Sequence, residues 1–308
     1  MVGLVIDFGK IILYFIVLVL LIKGKIQIAM FLLLISYYDK TKESINDIME
    51  FDVSIMEESV SLYRINQIVN YKDSNLVLDG IVNNDDIAGY VEFKNVSFKY
   101  SRLQVLKNVS FTAKPNQITA IVGKTGSGKT TLFNLLLRMY RVNDGKILID
   151  RINIYDYSRD VFNSNVSIVN QKTFIFNMSI RANLSLIDSN KKRQIDACKR
   201  VGIHDFIMSL PDGYSTILKE DATNISGGQK QLLSLARALL TSSEIILLDE
   251  VTSSLDPNTT NKIINLLDDL KTDHTIIVIT HNKDLMRRAD KLVVLNNGKI
   301  ECIGNNDD

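Results

Sequence analysis

The sequence predicts an open α/β domain with a phosphate-binding loop, preceded by an apolar helical hairpin and a long amphipathic helix. Three observations carry this reading. The first 38 residues are almost entirely apolar. A short apolar run, Ile118–Val122, leads directly into the glycine-rich segment Gly123–Thr130 and then into a helical pattern. Two further apolar runs end in Asp249-Glu250 and in Thr280-His281.

Ile11–Ile22 is an unbroken apolar run, Lys23-Gly24-Lys25 interrupts it, and Ile26–Tyr38 is again largely apolar. Neither run alone reaches the roughly 20 residues of a spanning helix. Each can be extended, the first back to Val2 and the second past Tyr38. A charge at the bilayer centre costs about 2.5–3.5 kcal/mol, so Lys23 and Lys25 belong at an interface. The expectation is a transmembrane hairpin turning at Lys23-Gly24-Lys25, with a single span and a re-entrant start as the alternative. A signal peptide fits poorly because no small-residue cleavage site follows. A buried soluble helix fits poorly because Ile11–Ile22 has no polar stripe. From Asp39 to about Asn70, Ile45, Ile48, Phe51, Ile55, Val60, Leu62, Ile65 and Ile68 recur at helical spacing among polar residues. Residues 1–70 are therefore expected as a partial transmembrane domain with a helical extension. Residues 71–89, rich in Asp, Asn and Gly, read as a linker, and 90–308 as the nucleotide domain.

The 308 residues suffice for about two domains. The net charge is +1, so bulk electrostatics predicts no nucleic-acid partner and any phosphate chemistry must be local. Cys198 and Cys302 lie far apart without metal-ligand spacing, which predicts reduced thiols rather than a disulfide or zinc framework.

Tyr90–Phe93, Val96–Phe98 and Val109–Phe111 read as strands. Strand, glycine loop and helix then follow in the order Ile118–Val122, Gly123–Thr130 and Thr131–Met139. Gly123, Gly126 and Gly128 allow turns that a Cβ would block. The loop N–H groups can then converge on phosphate oxygens at a helix N-terminus. Lys129 supplies a point charge for the β- and γ-phosphates, and the Thr130 hydroxyl suits Mg²⁺. In open α/β sheets ligands bind beyond the carboxyl ends of the strands. Asp249, Glu250 and His281 all lie at such ends. Asp249 suits Mg²⁺ through water, and Glu250 suits a general base for an attacking water. Ser226-Gly227-Gly228-Gln229 opens a strong helix pattern over Lys230–Leu240 and makes a second anion cradle. One chain has no evident use for two cradles in one site, which suggests a second molecule bringing its nucleotide.

These residues resemble the ABC ATPase family, more narrowly the exporter type, over Tyr90 to about Gly304. Gly123–Thr130 matches the Walker A loop, Ile245–Asp249 Walker B, and Glu250 the catalytic glutamate. Ile225–Gln229 matches the signature with Ile for the usual Leu. Thr252-Ser253-Ser254-Leu255-Asp256 matches the D-loop, His281 the switch histidine and Gln171 the Q-loop. Tyr100 matches the aromatic residue that stacks on adenine. The resemblance implies catalytic roles for Glu250, His281, Gln171 and Lys129. It implies nucleotide contacts from Tyr100, Val105, Gly123, Lys124, Thr125, Gly126, Ser127, Gly128, Lys129, Thr130, Thr131, Ser226, Gly227, Gly228, Gln229 and Asp256. Mg²⁺ would be held by Thr130, Gln171 and Asp249. It further implies a P-loop NTPase fold with a helical subdomain, and a head-to-tail dimer of two such ATPase chains sandwiching two ATP molecules. The location implied is the cell membrane, multi-pass, with the ATPase on the cytoplasmic side.

Lys219-Glu220-Asp221-Ala222 resembles the exporter segment that meets coupling helices, with Ala222 where Gly is usual. Arg181-Ala182-Asn183-Leu184 has Ala182 where exporters tend to have Glu. Exporters carry about six spans ahead of the ATPase, where this chain has room for about two. The family also continues past Gly304-Asn305-Asn306-Asp307-Asp308. The expectation is the distal part of a transporter, whose other transmembrane helices come from another chain if it is functional. The alternatives are a soluble ABC clamp ATPase and an inactive remnant. The transported substrate is not legible in two spans without strong polar or aromatic features.

Overall fold

The computed structural model describes residues 2–70, 80–84, 86–172, 174–253 and 255–305. It divides into Met1–Ser74 and Asn75–Asp308. The first unit is a hairpin of α1 (Val2–Ile22) and α2 (Ile28–Val69). Gly24 turns the chain with φ 64°, and the N–H groups of Lys23, Gly24 and Lys25 return to Val19, Leu21 and Leu20. Lys10 Nζ donates to Asp39 Oδ1 at 2.6 Å, joining the two helices. The second apolar run and the amphipathic stretch are one 42-residue helix. Neither Pro nor Gly occurs between Ile28 and Val69, so nothing breaks it. Among the described residues no helix is long and apolar enough to cross a membrane. The expected pair of spans therefore rests on the sequence alone.

The second unit holds two sheets. β1 (Val91–Tyr100) and β2 (Leu103–Ala113) form an antiparallel hairpin, followed by β3 (Ile118–Val122) and α3 (Lys129–Leu136). β4 (Asp144–Ile149), β5 (Ile152–Asn153), α4 (Arg159–Asn165) and β6 (Val166–Val169) come next. The helical stretch is α5 (Ile180–Ser185), α6 (Lys191–Arg200), α7 (His204–Ser209) and α8 (Gly227–Leu240). β7 (Ile245–Asp249), α9 (Pro257–Leu270), β8 (Thr275–Ile279), α10 (Lys283–Arg288), β9 (Lys291–Asn296) and β10 (Lys299–Asn305) complete it. The small sheet has the order β2-β1-β4-β5, and the large one β10-β9-β3-β8-β7-β6. All pairings in the large sheet are parallel except β10 with β9.

The two short strands expected at Tyr90–Phe93 and Val96–Phe98 are one strand with a register shift between Phe93 and Val96. Asn95 takes a left-handed φ of 51° there, which makes the bulge. The continuous apolar run Ile245–Leu248 is explained by burial on both faces. Ile245 and Leu247 join a core with Phe93, Phe111, Leu132 and Leu135 under the small sheet and α3. Ile246 and Leu248 join the opposite core with Leu233, Leu235, Ile263 and Leu267 of α8 and α9.

Of the expected 71–89 linker, residues 71–79 and 85 lie outside the described residues. Residues 80–84 and 86–89 are tied onto the second unit. Val82 exchanges backbone hydrogen bonds with the 156–158 segment. The Asp150 carboxylate accepts from the N–H groups of Ala88, Gly89 and Tyr90 at 2.7–3.3 Å. Ser254 of the expected D-loop and residues 306–308 of the expected C-terminal stop also lie outside the described residues.

Candidate nucleotide site

β3, β8 and β7 are neighbours in register, with Ile121 opposite Ile279 and Ile279 opposite Asp249. Two strand spacings, about 10 Å, therefore separate the end of β3 from the end of β7. The loop after β3 makes its turn through glycines packed against other backbone. A Cβ on Gly123 would lie 2.1 Å from the Leu295 carbonyl oxygen, and one on Gly128 2.7 Å from Leu106 Cδ2. Gly128, with φ 107°, is the N-cap of α3. Lys124, Thr125, Gly126 and Thr130 are exposed, whereas Ser127, Lys129 and Thr131 are buried. Ser127 Oγ is buried without a hydrogen-bond partner in the chain, which leaves it free to bond a bound group. Lys129 Nζ donates to the carbonyls of Gly123 and Lys124 at 2.7 and 3.0 Å.

The acids meet this lysine. Burial lowers the Lys129 pKa, and the charges of Glu250 and Asp249 oppose the shift. Burial and the neighbouring Glu250 raise that of Asp249, and Lys129 opposes it. Glu250 sits just past β7 with a left-handed φ of 50°, its N–H bonded to the Ile279 carbonyl at 2.9 Å. Both of its carboxylate oxygens have neighbours. Gln171, two residues beyond β6, donates Nε2 to Oε2 at 2.7 Å. His281, two residues beyond β8, places Nε2 3.4 Å from Oε1. Glu250, Thr252, Ser253, Thr280, His281 and Asn282 line a cleft of about 280 Å³.

Ser226 caps α8 in a reciprocal box: Gln229 N–H donates to Ser226 Oγ, and Ser226 N–H to Gln229 Oε1 at 2.7 Å. A Cβ on Gly227 would meet open space, and one on Gly228 would meet Leu255 and Thr259. None of these neighbours belongs to the phosphate loop. Asp256 caps α9, and hydrogen bonds from Thr259 hold its carboxyl below the ordinary value. Tyr100 lies over α3, with Asn134 Nδ2 3.5 Å from its hydroxyl, and Val105 lies against Gly128.

Residues 106–253 match the family described as ABC transporter. The chain belongs to the ABC transporter family. It is 38% identical over 232 residues to the ATP-dependent lipid A-core flippase of Haemophilus influenzae, covering 74% of this chain and 40% of that protein. It is 36% identical over 279 residues to the ABC transporter aclQ of Aspergillus oryzae, covering 89% of this chain and 34% of that one. Among solved structures, a bacterial Atm1-family ABC exporter with ATP bound superposes with a TM-score of 0.80 at 27% identity, covering 92% of this chain and 50% of that chain. The chain thus spans half or less of the length of each of these relatives. What it carries is the family's ATP-binding ATPase domain, of the kind found in exporters.

One brace of the Walker A loop escapes a reading of motifs. The Asn297-Gly298 turn joins β9 to β10, and its Gly298 N–H donates to the Ser127 carbonyl at 3.1 Å. The Gly298 carbonyl accepts from Lys107 N–H at 2.8 Å. Asn297 and Gly298 have φ of 47° and 76°. Asn-Gly between two alternating apolar runs is a strong hairpin signal, so the turn, though not its contact, could have been found.

Proposed function

We propose that this chain is the ATP-binding and hydrolysing part of an ABC exporter, in which ATP-driven head-to-tail dimerisation of two ATPase domains powers export across a membrane. The observation that carries it is the convergence of Lys129, Asp249, Glu250, Gln171 and His281 at one sheet rim. Lys129 would leave the Gly123 and Lys124 carbonyls for the β- and γ-phosphates. Ser127 Oγ would gain the acceptor it lacks. Glu250 would take a proton from the attacking water, and His281 would orient against the γ-phosphate. Catalysis of this kind is chiefly positioning and charge stabilisation.

Thr130, Gln171 and Asp249 form an all-oxygen donor set that fits Mg²⁺. Among the described residues no cluster of three His, Cys, Asp or Glu side chains is placed to hold a metal unaided. That suits a cation completed by phosphate and water. When bound, the ion would neutralise charge on the phosphate oxygens.

The open space around Gly227 supports a second ATPase chain laying its nucleotide against Ser226–Gln229. The exposed apolar side chains of the hairpin, Ile11, Phe15, Ile28 and Leu32 among them, support a membrane location beside further helices; the resemblance to exporters puts the ATPase domain on the cytoplasmic side. The test is an ATPase assay of the chain and its Glu250→Gln variant. A general base contributes about 10²–10⁴-fold, so the expected loss is at least about a hundredfold with ATP binding retained. Equal rates would remove Glu250 from the mechanism.

A further inference from the structure

We propose that Tyr140 is a positioning residue for adenine, acting by fixing the ring plane of Tyr100. This rests on the reading of Tyr100 as the adenine platform. Tyr100 ends β1 and has no β-strand neighbour beyond its pairing with Leu103. Its ring orientation must therefore come from side chains. Two rings meet it at right angles: Phe98 with centroids 4.8 Å apart and interplanar angle 89°, and Tyr140 at 5.0 Å and 89°. Phe98 and Tyr140 also touch each other at 5.7 Å, so the three rings close into a triangle. Edge-to-face contacts of this kind are directional and exceed the value of the area they bury. Phe98 is two residues away on the same strand and buried. Of the two rings, Tyr140 is the one that comes from outside β1.

Tyr140 is itself braced. The chain leaves α3 through Arg138 in a left-handed conformation, φ 61°. Two residues later the Tyr140 carbonyl accepts from the Tyr155 hydroxyl at 2.9 Å. The same hydroxyl accepts from Val142 N–H at 3.2 Å. Tyr155 thus pins the turn on both sides of Arg141, and the pinned turn delivers the Tyr140 ring to Tyr100. With Asn134 of α3 at the Tyr100 hydroxyl, the platform is tied to the helix that begins in the phosphate loop. The Tyr140 hydroxyl takes no part in these contacts; the ring does.

A positioning role for the base predicts a loss confined to ligands that carry one. In the full chain in detergent, Tyr140→Ala should weaken ATP binding and raise KM about three- to tenfold, with kcat unchanged. Affinity for inorganic tripolyphosphate, which has no base, should stay within about twofold. Tyr140→Phe should restore ATP affinity. In a Tyr100→Ala background, Tyr140→Ala should add less than about twofold, because coupled residues are not additive. Should Tyr140→Ala not fold, Tyr140→Leu keeps the bulk without the ring and is judged by the same criteria. Equal weakening of ATP and tripolyphosphate, an undiminished effect in the Tyr100→Ala background, or no change in KM would each overturn the proposal. Unaltered ATP affinity in Tyr100→Ala alone would instead sink the reading of Tyr100 as the platform, and this proposal with it.

Discussion

The two units handle apolar residues in opposite ways. In the ATPase domain the apolar side chains of β3, β7 and β8 are sealed in two cores, and Ile118, Ile121, Leu135 and Leu247 have no exposed surface. In the α1–α2 hairpin, Val17 is the one buried hydrophobic side chain among the described residues, while Ile11, Phe15 and Ile28 are 66–69% exposed. The same residue types thus build a self-sufficient interior in one region and an uncovered surface in the other. A patch of that extent normally marks an interaction surface, since apolar area left in water costs about 25 cal/mol per Å². The hairpin leaves its apolar side chains uncovered, whereas the ATPase domain encloses its own.

The sharpest way to break this comparison is fractionation. The full chain is expected with membranes, released only by detergent, and a chain lacking residues 1–74 is expected in the soluble fraction. Recovery of the full chain without detergent would erase the contrast. A smaller effect separates the regions by mutation. Leu135→Ala, at a fully buried position, should cost about 2–5 kcal/mol, read as a fall in the midpoint of thermal unfolding. Phe15→Ala, 69% exposed, should change the stability of the detergent-solubilised chain by no more than about 0.5 kcal/mol, leaving the same midpoint nearly unmoved. Comparable shifts would mean that the hairpin has a packed core after all.

The boundary between the regions gives a third measurement. Asp150→Ala strands three N–H groups, of Ala88, Gly89 and Tyr90. Most of that segment can reach water, so the expected cost is about 1–3 kcal/mol, with faster proteolysis at 80–89. Unaltered proteolysis would mean that Asp150 does not hold the strap. The gentlest effect is chemical. Cys302 is exposed, whereas Cys198 is buried and burial raises its thiol to about 11. At neutral pH iodoacetamide should label Cys302 alone, with Cys198 reacting only on unfolding; mass spectrometry that finds Cys198 modified in the folded chain would contradict the burial.

Much of the site was legible because its signals are local. Gly123–Thr130 needs only a preceding strand and a following helix to be read, and Asp249-Glu250 only the apolar run before it. Ser226–Gln229 announces a capped helix within four residues. The antiparallel sheet was not legible as a sheet, because β4 lies some fifty residues along the chain from its partner β1. The bulge at Asn95 looks like a break between strands in the sequence, because Asn favours turns and the partner strand is unknown there. The role of Asp150 is not legible in the sequence because the groups it satisfies lie 60–62 positions away. Tyr140 lies just beyond the helix expected over Thr131–Met139 and beyond the observed end of α3 at Leu136, where nothing in the sequence marks which ring it will face.

The sequence by itself determined which groups are on offer: a glycine loop, a carboxylate pair, an imidazole and a second glycine segment, each at the end of an element whose periodicity identifies it. It determined as well that the first 38 residues have an apolar character unlike the rest. Only the tertiary structure decided which of these groups meet. Gln171 and Glu250 come from strands 79 positions apart and bond because β6 and β7 are parallel neighbours. The physical reason is that side-chain periodicity depends on a residue's immediate neighbours, whereas strand order depends on which buried faces match. No short stretch of the chain contains that information.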